Sequence, residues 1–229
     1  MNLPNKLSIL RIVLVPVTLL FMLPINIFGW EPEGWNNFIN SNGMIVAAGV
    51  FILASLTDCA DGKIARKYNL ITDLGKFLDS LADKILVISI MLAFIGLGRV
   101  SAWAVMIIIL REFAVSGLRM IAAAKGEVIA AKMIGKVKTV IQMIALIYLM
   151  FEPLLLKIFG LGFNGYPIGL NAVTIIGDIL FGICVIMTIV SGVDYLIKGK
   201  QYLKGSLSKN FDSQNNLLTK VVSYIKNNL

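Results

Sequence analysis

The stretch that decides the fold reads Asp58-Cys59-Ala60-Asp61-Gly62-Lys63-Ile64-Ala65-Arg66, followed after eight residues by Gly75 and then by Asp79 and Asp83. Four carboxylates, two glycines and an arginine fall within one short segment of a chain that is 58% hydrophobic, with mean hydropathy +0.84. Asp58 and Asp61 are spaced i, i+3, and Asp79 and Asp83 i, i+4, so on helices each pair shares a face. Two such pairs on facing helices make an all-oxygen site, which suits Mg2+, Mn2+ or Ca2+ rather than zinc. Clustered carboxylates raise one another's pKa values unless cations sit among them. Helix capping accounts for Asp73 near a helix start. It does not account for Asp79 and Asp83, which lie progressively deeper in an apolar helix where an unpaired carboxylate is costly.

The surrounding composition is that of a membrane protein. No Ser/Pro-rich linker divides the 229 residues, which read as one membrane domain over 1–200 and a basic tail over 201–229, either amphipathic on an anionic leaflet or flexible. The net charge is +8 and histidine is absent, which excludes imidazole metal ligands, general bases and pH switches. In so apolar a chain the basic excess points to anionic lipid and phosphate-bearing substrates, and not to nucleic acid. Cys59 and Cys184 fall on different elements, so no structural disulfide is expected.

Outward from the aspartates, the pattern predicts an all-α integral membrane protein of about six transmembrane helices. The first follows a short amphipathic N-terminal segment and spans Ile12 to Phe28, with Pro16 and Pro24 placed to kink or end it. It reads as uncleaved, since no small-x-small site follows. A loop over Gly29 to Gly43 carries Trp30 and Trp35, suited to the interface. The second helix runs from Met44 through Asp61, and a basic turn is expected over Gly62 to Thr72. Helices then follow from Asp73 to Phe94 or Leu97, from Ala102 to about Met120, from Gly135 to Met150 and from Ala172 to Ile197. One side collects Lys6, Arg11, Lys63, Arg66, Lys67, Lys76, the stretch Arg111 to Lys138 and the tail, whereas the other loops hold only Arg99 and Lys157. The positive-inside bias therefore predicts the aspartates at the cytoplasmic face of the cell membrane.

The pattern D-x2-D-G-x2-A-R-x8-G-x3-D-x3-D, met at every fixed position by Asp58, Asp61, Gly62, Ala65, Arg66, Gly75, Asp79 and Asp83, resembles the signature of the CDP-alcohol phosphotransferases. Eight specified residues at fixed offsets make a specific match. The resemblance implies that family's fold, two divalent cations (Mg2+ or Mn2+) held by Asp58, Asp61, Asp79 and Asp83, and Asp83 as catalytic base. It also implies a CDP moiety bound by Gly62, Arg66 and Gly75, and a homodimer. Turn and helix-packing roles would also account for Gly62 and Gly75, and a positive-inside anchor for Arg66. Close backbone approach and a planar fork for phosphate oxygens suit the motif better.

A second basic cluster contains Arg111, Arg119, Lys125, Lys132, Lys136 and Lys138. A solvated loop explains Lys125 and Lys132. Arg111 and Arg119 lie within about 80° of each other on a continuous helix, and cations at membrane depth need anionic partners. Arg111, Arg119, Lys136 and Lys138 are therefore the candidates for an acceptor phosphate. The strings Arg111-Glu112…Arg119, Gly135-Lys136-x-Lys138-Thr139-x-x-Gln142, Leu3-Pro4-Asn5-x-Leu7-Ser8-x-x-Arg11 and Ser191-Gly192-x-Asp194-Tyr195 are similar to the branch of the family that forms phosphatidylglycerophosphate. That branch implies transfer of a phosphatidyl group from CDP-diacylglycerol to glycerol 3-phosphate. Sister enzymes using serine or inositol phosphate are the nearest alternative. A prenyl transferase lacks its DDxxD-like pattern here, and a cation transporter would carry charges along a path to both sides. Asp178 receives no role, and Ala47, Ala48, Gly49, Gly177 and Gly182 are expected to let helices pack closely.

Overall fold

The computed structural model describes residues 3–26, 28–67, 73–124, 133–161, 170–195 and 197, with backbone alone for 3, 4, 58–67, 73, 74, 76, 77 and 124. Lys125, Lys132 and the tail after 197 lie outside the described residues. The described residues form the helices α1 (Leu3–Met22), α2 (Glu33–Phe38), α3 (Met44–Lys67), α4 (Asp73–Gly96), α5 (Ala102–Ala124), α6 (Met133–Ile158) and α7 (Ala172–Tyr195). Four stretches are long and apolar enough to cross a membrane: Asn5–Met22, Glu33–Thr57, Met133–Ile158 and Ala172–Tyr195. Helices α4 and α5 are of similar length, 24 and 23 residues, but carry Asp79, Asp83 and Lys84, and Arg111, Glu112 and Arg119, within their apolar sequence.

Three boundaries differ from expectation. The N-terminal amphipathic segment is continuous with the first span as α1, which passes through Pro16 and ends before Pro24. Most of the expected Gly29–Gly43 loop is helical, because α2 runs through a π-helical turn (Ile39–Gly43) into α3. Side-chain packing fixes this turn. Asn36 accepts from the Ile25 amide at 2.8 Å and donates to its carbonyl at 3.0 Å, and Trp35 sits between Phe21 and Phe38. A side chain at Gly43 would collide with the Phe21 carbonyl oxygen. Finally, α3 continues through Gly62 to Lys67 where a turn was expected. One glycine costs a helix only about 1 kcal/mol, and the good helix formers around it outweigh that.

Helix α1 packs on α3 and α4, and α3 on α6. The shared core contains Phe51, Ile90, Met91, Phe94, Ile108, Leu146, Leu149 and Met150, all fully buried, with Ala47, Ala48 and Ala54 closing the helix contacts. Gly49 and Gly182, expected at close contacts, face open space, whereas Gly177 packs against Arg99, Leu149 and Tyr148. Hydroxyls inside the apolar helices bond backward to their own backbone, as Thr18 does to Leu14, Ser55 to Phe51, and Thr188 to Cys184, which satisfies them without water.

Helix α4 is closed just past its end by Gly98, whose φ of +71° accompanies bonds from Gly98 N to Ile95 O and from Arg99 N to Phe94 O. This Schellman closure carries Arg99 into a three-element cluster. Arg99 Nε and Nη2 donate to Glu152 at 2.7 and 3.1 Å, Nη1 to Asp178 at 2.6 Å, and Nη2 also to the Thr174 carbonyl. Burial lowers the Arg99 pKa, but its hydrogen bonds and Coulombic pairing with Glu152 and Asp178 outweigh that and raise it above the ordinary arginine value. Asp178 thus pairs with a residue of the α4–α5 turn. Helix α6 runs past Met150 and through Pro153, so Lys157, expected in a loop, lies in its last turn and donates to the Ser41 carbonyl.

Candidate active site

The long helices alternate in direction, which gathers the start of α1, the end of α3, the start of α4, the end of α5, the start of α6 and the end of α7 at the end of the bundle opposite Arg99. Every residue expected in the site lies on one of these segments. Asp58, Asp61, Gly62 and Arg66 are on the last turns of α3, and their side chains lie outside the described residues. Gly75 is in the first turn of α4, with Asp79 and Asp83 one and two turns further on.

Asp79 and Asp83 are half exposed, with side chains 50% and 54% accessible, and both lie against Arg11 of α1. Arg11 Nη1 is 3.2 Å from Asp79 Oδ1 and 3.7 Å from Asp83 Oδ1, and the arginine side chain is 1% exposed. Its helical neighbours toward the N-terminus, Ser8 and Asn5, are buried too, while Ile9, Leu10 and Val13 are exposed. The start of α1 therefore turns a polar face inward at i, i+3, i+6 and an apolar face outward. In the sequence, Arg11 stands only as an inside charge and part of a matching string. The spacing of Asn5, Ser8 and Arg11 was the available signal.

The basic cluster assembles from three helices. Arg111 Nη1 donates to Glu112 Oε1 at 3.0 Å and Nη2 to the Ser191 hydroxyl. Lys138, 1% exposed, donates to the same Glu112 oxygen and to Gln142 Oε1 at 2.5 Å. Arg119 Nη2 donates to the Tyr195 hydroxyl at 2.7 Å. The Tyr195 ring is flanked by two guanidinium groups, with Arg111 Cζ at 5.7 Å and Arg119 Cζ at 5.3 Å from its centroid, within cation–π range. Gly192 permits this approach, since a Cβ there would lie 2.9 Å from Arg111 Cγ, and Gly135 borders the same ring. Lys136 is exposed. The anionic partner expected from a substrate is thus supplied for Lys138 by the protein's own Glu112. Glu112, Gln142, Ser191 and Tyr195 escaped assignment although each stood in a matching string. Among the described residues, buried Arg111 Nε has no hydrogen-bond partner.

The two clusters lie near each other. Lys84, next to Asp83 on α4, is within electrostatic range of Glu112, and Gln142 Nε2 contacts Met91 Sδ at 3.6 Å. Asp79 and Asp83 suit a hard divalent cation. They offer carboxylate oxygens one turn apart, reachable from solvent, and a guanidinium already stands across them as a positive charge. Among the described residues no group of three or more metal-ligating side chains is complete.

A half-exposed carboxylate pair and a basic cluster thus stand at the same end of an apolar helical bundle. The sequence profile of CDP-alcohol phosphatidyltransferases matches residues 1–191, and the chain belongs to that family of transferases. It is 39% identical over 210 residues to a Bacillus subtilis (strain 168) protein named CDP-diacylglycerol–glycerol-3-phosphate 3-phosphatidyltransferase, covering 90% of this chain and 98% of that one. A protein of the same name from Rickettsia felis is 36% identical over 201 residues, 88% of this chain and 97% of its own. One from Salmonella choleraesuis is 36% identical over 158 residues, covering 66% of this chain and 78% of its own.

Proposed function

We propose that the chain transfers the phosphatidyl group of CDP-diacylglycerol to sn-glycerol 3-phosphate, giving phosphatidylglycerophosphate and CMP. The observation that carries this reading is the paired Asp79 and Asp83 at the same end of the bundle as Arg111, Arg119, Lys136 and Lys138. The relatives' names supply the substrates. Serine, which carries no phosphate, would leave that basic cluster without a purpose.

Asp58, Asp61, Asp79 and Asp83 would hold two divalent cations, Mg2+ or Mn2+, which when bound neutralise the diphosphate and the departing CMP. Gly62, Arg66 and Gly75 hold the CDP moiety, the glycines by leaving room and the arginine by its fork. Arg111, Arg119 and Lys136 bind the acceptor phosphate, and Lys138 contributes the charge it shares with Glu112. Asp83 takes the proton from the attacking hydroxyl of the acceptor. That oxygen forms a bond to the phosphatidyl phosphorus as the bond to CMP breaks, and CMP leaves with the electron pair. The acyl chains stay in the bilayer. The distribution of Lys and Arg supports a cytoplasmic site in a bacterial cell membrane, and the family supports a homodimer.

The test is CMP release by purified protein with CDP-diacylglycerol and Mg2+, offering glycerol 3-phosphate, serine and inositol phosphate separately. Turnover selective for glycerol 3-phosphate and abolished by Asp61→Asn supports the reading. Turnover with another acceptor alone overturns the acceptor assignment.

A further inference from the structure

We infer that Arg11 is a positioning residue that makes cation loading at the aspartate pair depend on the diphosphate of the substrate. The inference rests on the reading of Asp79 and Asp83 as metal ligands. One guanidinium nitrogen, Arg11 Nη1, lies against Oδ1 of both carboxylates, at 3.2 and 3.7 Å, and these are oxygens a divalent cation would need. The arginine comes from α1, is 1% exposed, and sits on a helix packed directly on α4. Retraction into lipid would strand its charge in hydrocarbon, and its fixed charge cannot be titrated away.

Two consequences follow from the charges alone. Without substrate, Arg11 offsets part of the negative charge of the pair, so a divalent cation arriving alone gains less and is repelled by the guanidinium. A diphosphate changes the balance, because its oxygens are partners for both the cation and a guanidinium fork. Cation and diphosphate therefore bind cooperatively, with Arg11 as the element that couples them. An empty site resists filling with metal and stays ready for nucleotide and metal together.

The experiment is Mn2+ binding by electron paramagnetic resonance on the full-length protein in detergent, with and without CDP as the diphosphate probe. The wild type is expected to bind Mn2+ weakly alone and more tightly with CDP. In Arg11→Gln, Mn2+ alone is expected to bind about tenfold more tightly, with the gain from CDP correspondingly reduced. Arg11→Lys keeps the charge but loses the planar bridge and is expected to fall between the two. It decides the question if the glutamine variant does not fold. Unchanged Mn2+ affinity and an unchanged CDP effect in the folded variant, with binding still abolished by Asp79→Asn, would overturn the role of Arg11 alone. Mn2+ binding that ignores Asp79→Asn would overturn the metal reading beneath it.

Discussion

Arg99 Nε donates to Glu152 Oε2 at 2.7 Å, so a carboxylate with no solvent exposure on α6 is neutralised by a residue from the α4–α5 turn. Removing one partner of a buried pair leaves the other uncompensated, which costs about 3–5 kcal/mol. Arg99→Met is therefore expected to lower the thermal midpoint in detergent markedly. The double change Arg99→Met with Glu152→Leu should recover much of the loss, as read by differential scanning. Because the folded-state Arg99 pKa is raised, its contribution is full below the ordinary arginine value and is lost only as pH rises through the higher folded one.

Tyr195 holds Arg119 by a hydrogen bond and both arginines by its ring face. Tyr195→Phe removes only the bond and is expected to raise KM for glycerol 3-phosphate about tenfold. Tyr195→Leu removes the ring contacts as well and should raise it further. In both, KM for CDP-diacylglycerol should hold, as steady-state kinetics with each substrate varied would show.

A methyl group at Gly192 would meet Arg111 Cγ at 2.9 Å, whereas one at Gly182 meets nothing within 4 Å. Gly192→Ala should push Arg111 away from Ser191 and weaken acceptor binding by about tenfold, with Gly182→Ala kinetically silent. Equal behaviour of the two alanine variants would remove Arg111 from the acceptor site.

Chelation with EDTA is expected to abolish CMP release, and Mg2+ or Mn2+ to restore it. Asp79→Asn should cost at least about a hundredfold in kcat at saturating metal. Turnover that survives chelation would refute cation assistance.

Much of the fold was legible because membrane helices announce themselves by length and apolarity. One misread boundary has a packing cause. The loop before α3 looked polar, but Asn36 spends its amide on the Ile25 backbone and Trp35 packs between two phenylalanines, so the segment is helical. Lys138 illustrates the limit for the site. Its type and position marked it as a phosphate ligand, yet Glu112 and Gln142 already meet it. Glu112, adjacent to Arg111 in sequence, lends its charge to a helix that begins 21 positions later.

By itself, the sequence determined the long apolar helices and the spacing of the four aspartates. Those properties depend on hydropathy and on repeats within one helix, where neighbours are three or four residues apart. Only the tertiary structure decided which charges meet across helices. Arg11 reaches Asp79 over 68 positions, Arg99 reaches Glu152 over 53 and Asp178 over 79, and Arg111 reaches Ser191 over 80. No local period encodes such pairings. They follow from the requirement that every charge buried among apolar helices find a partner there, and packing settles which partner stands within reach.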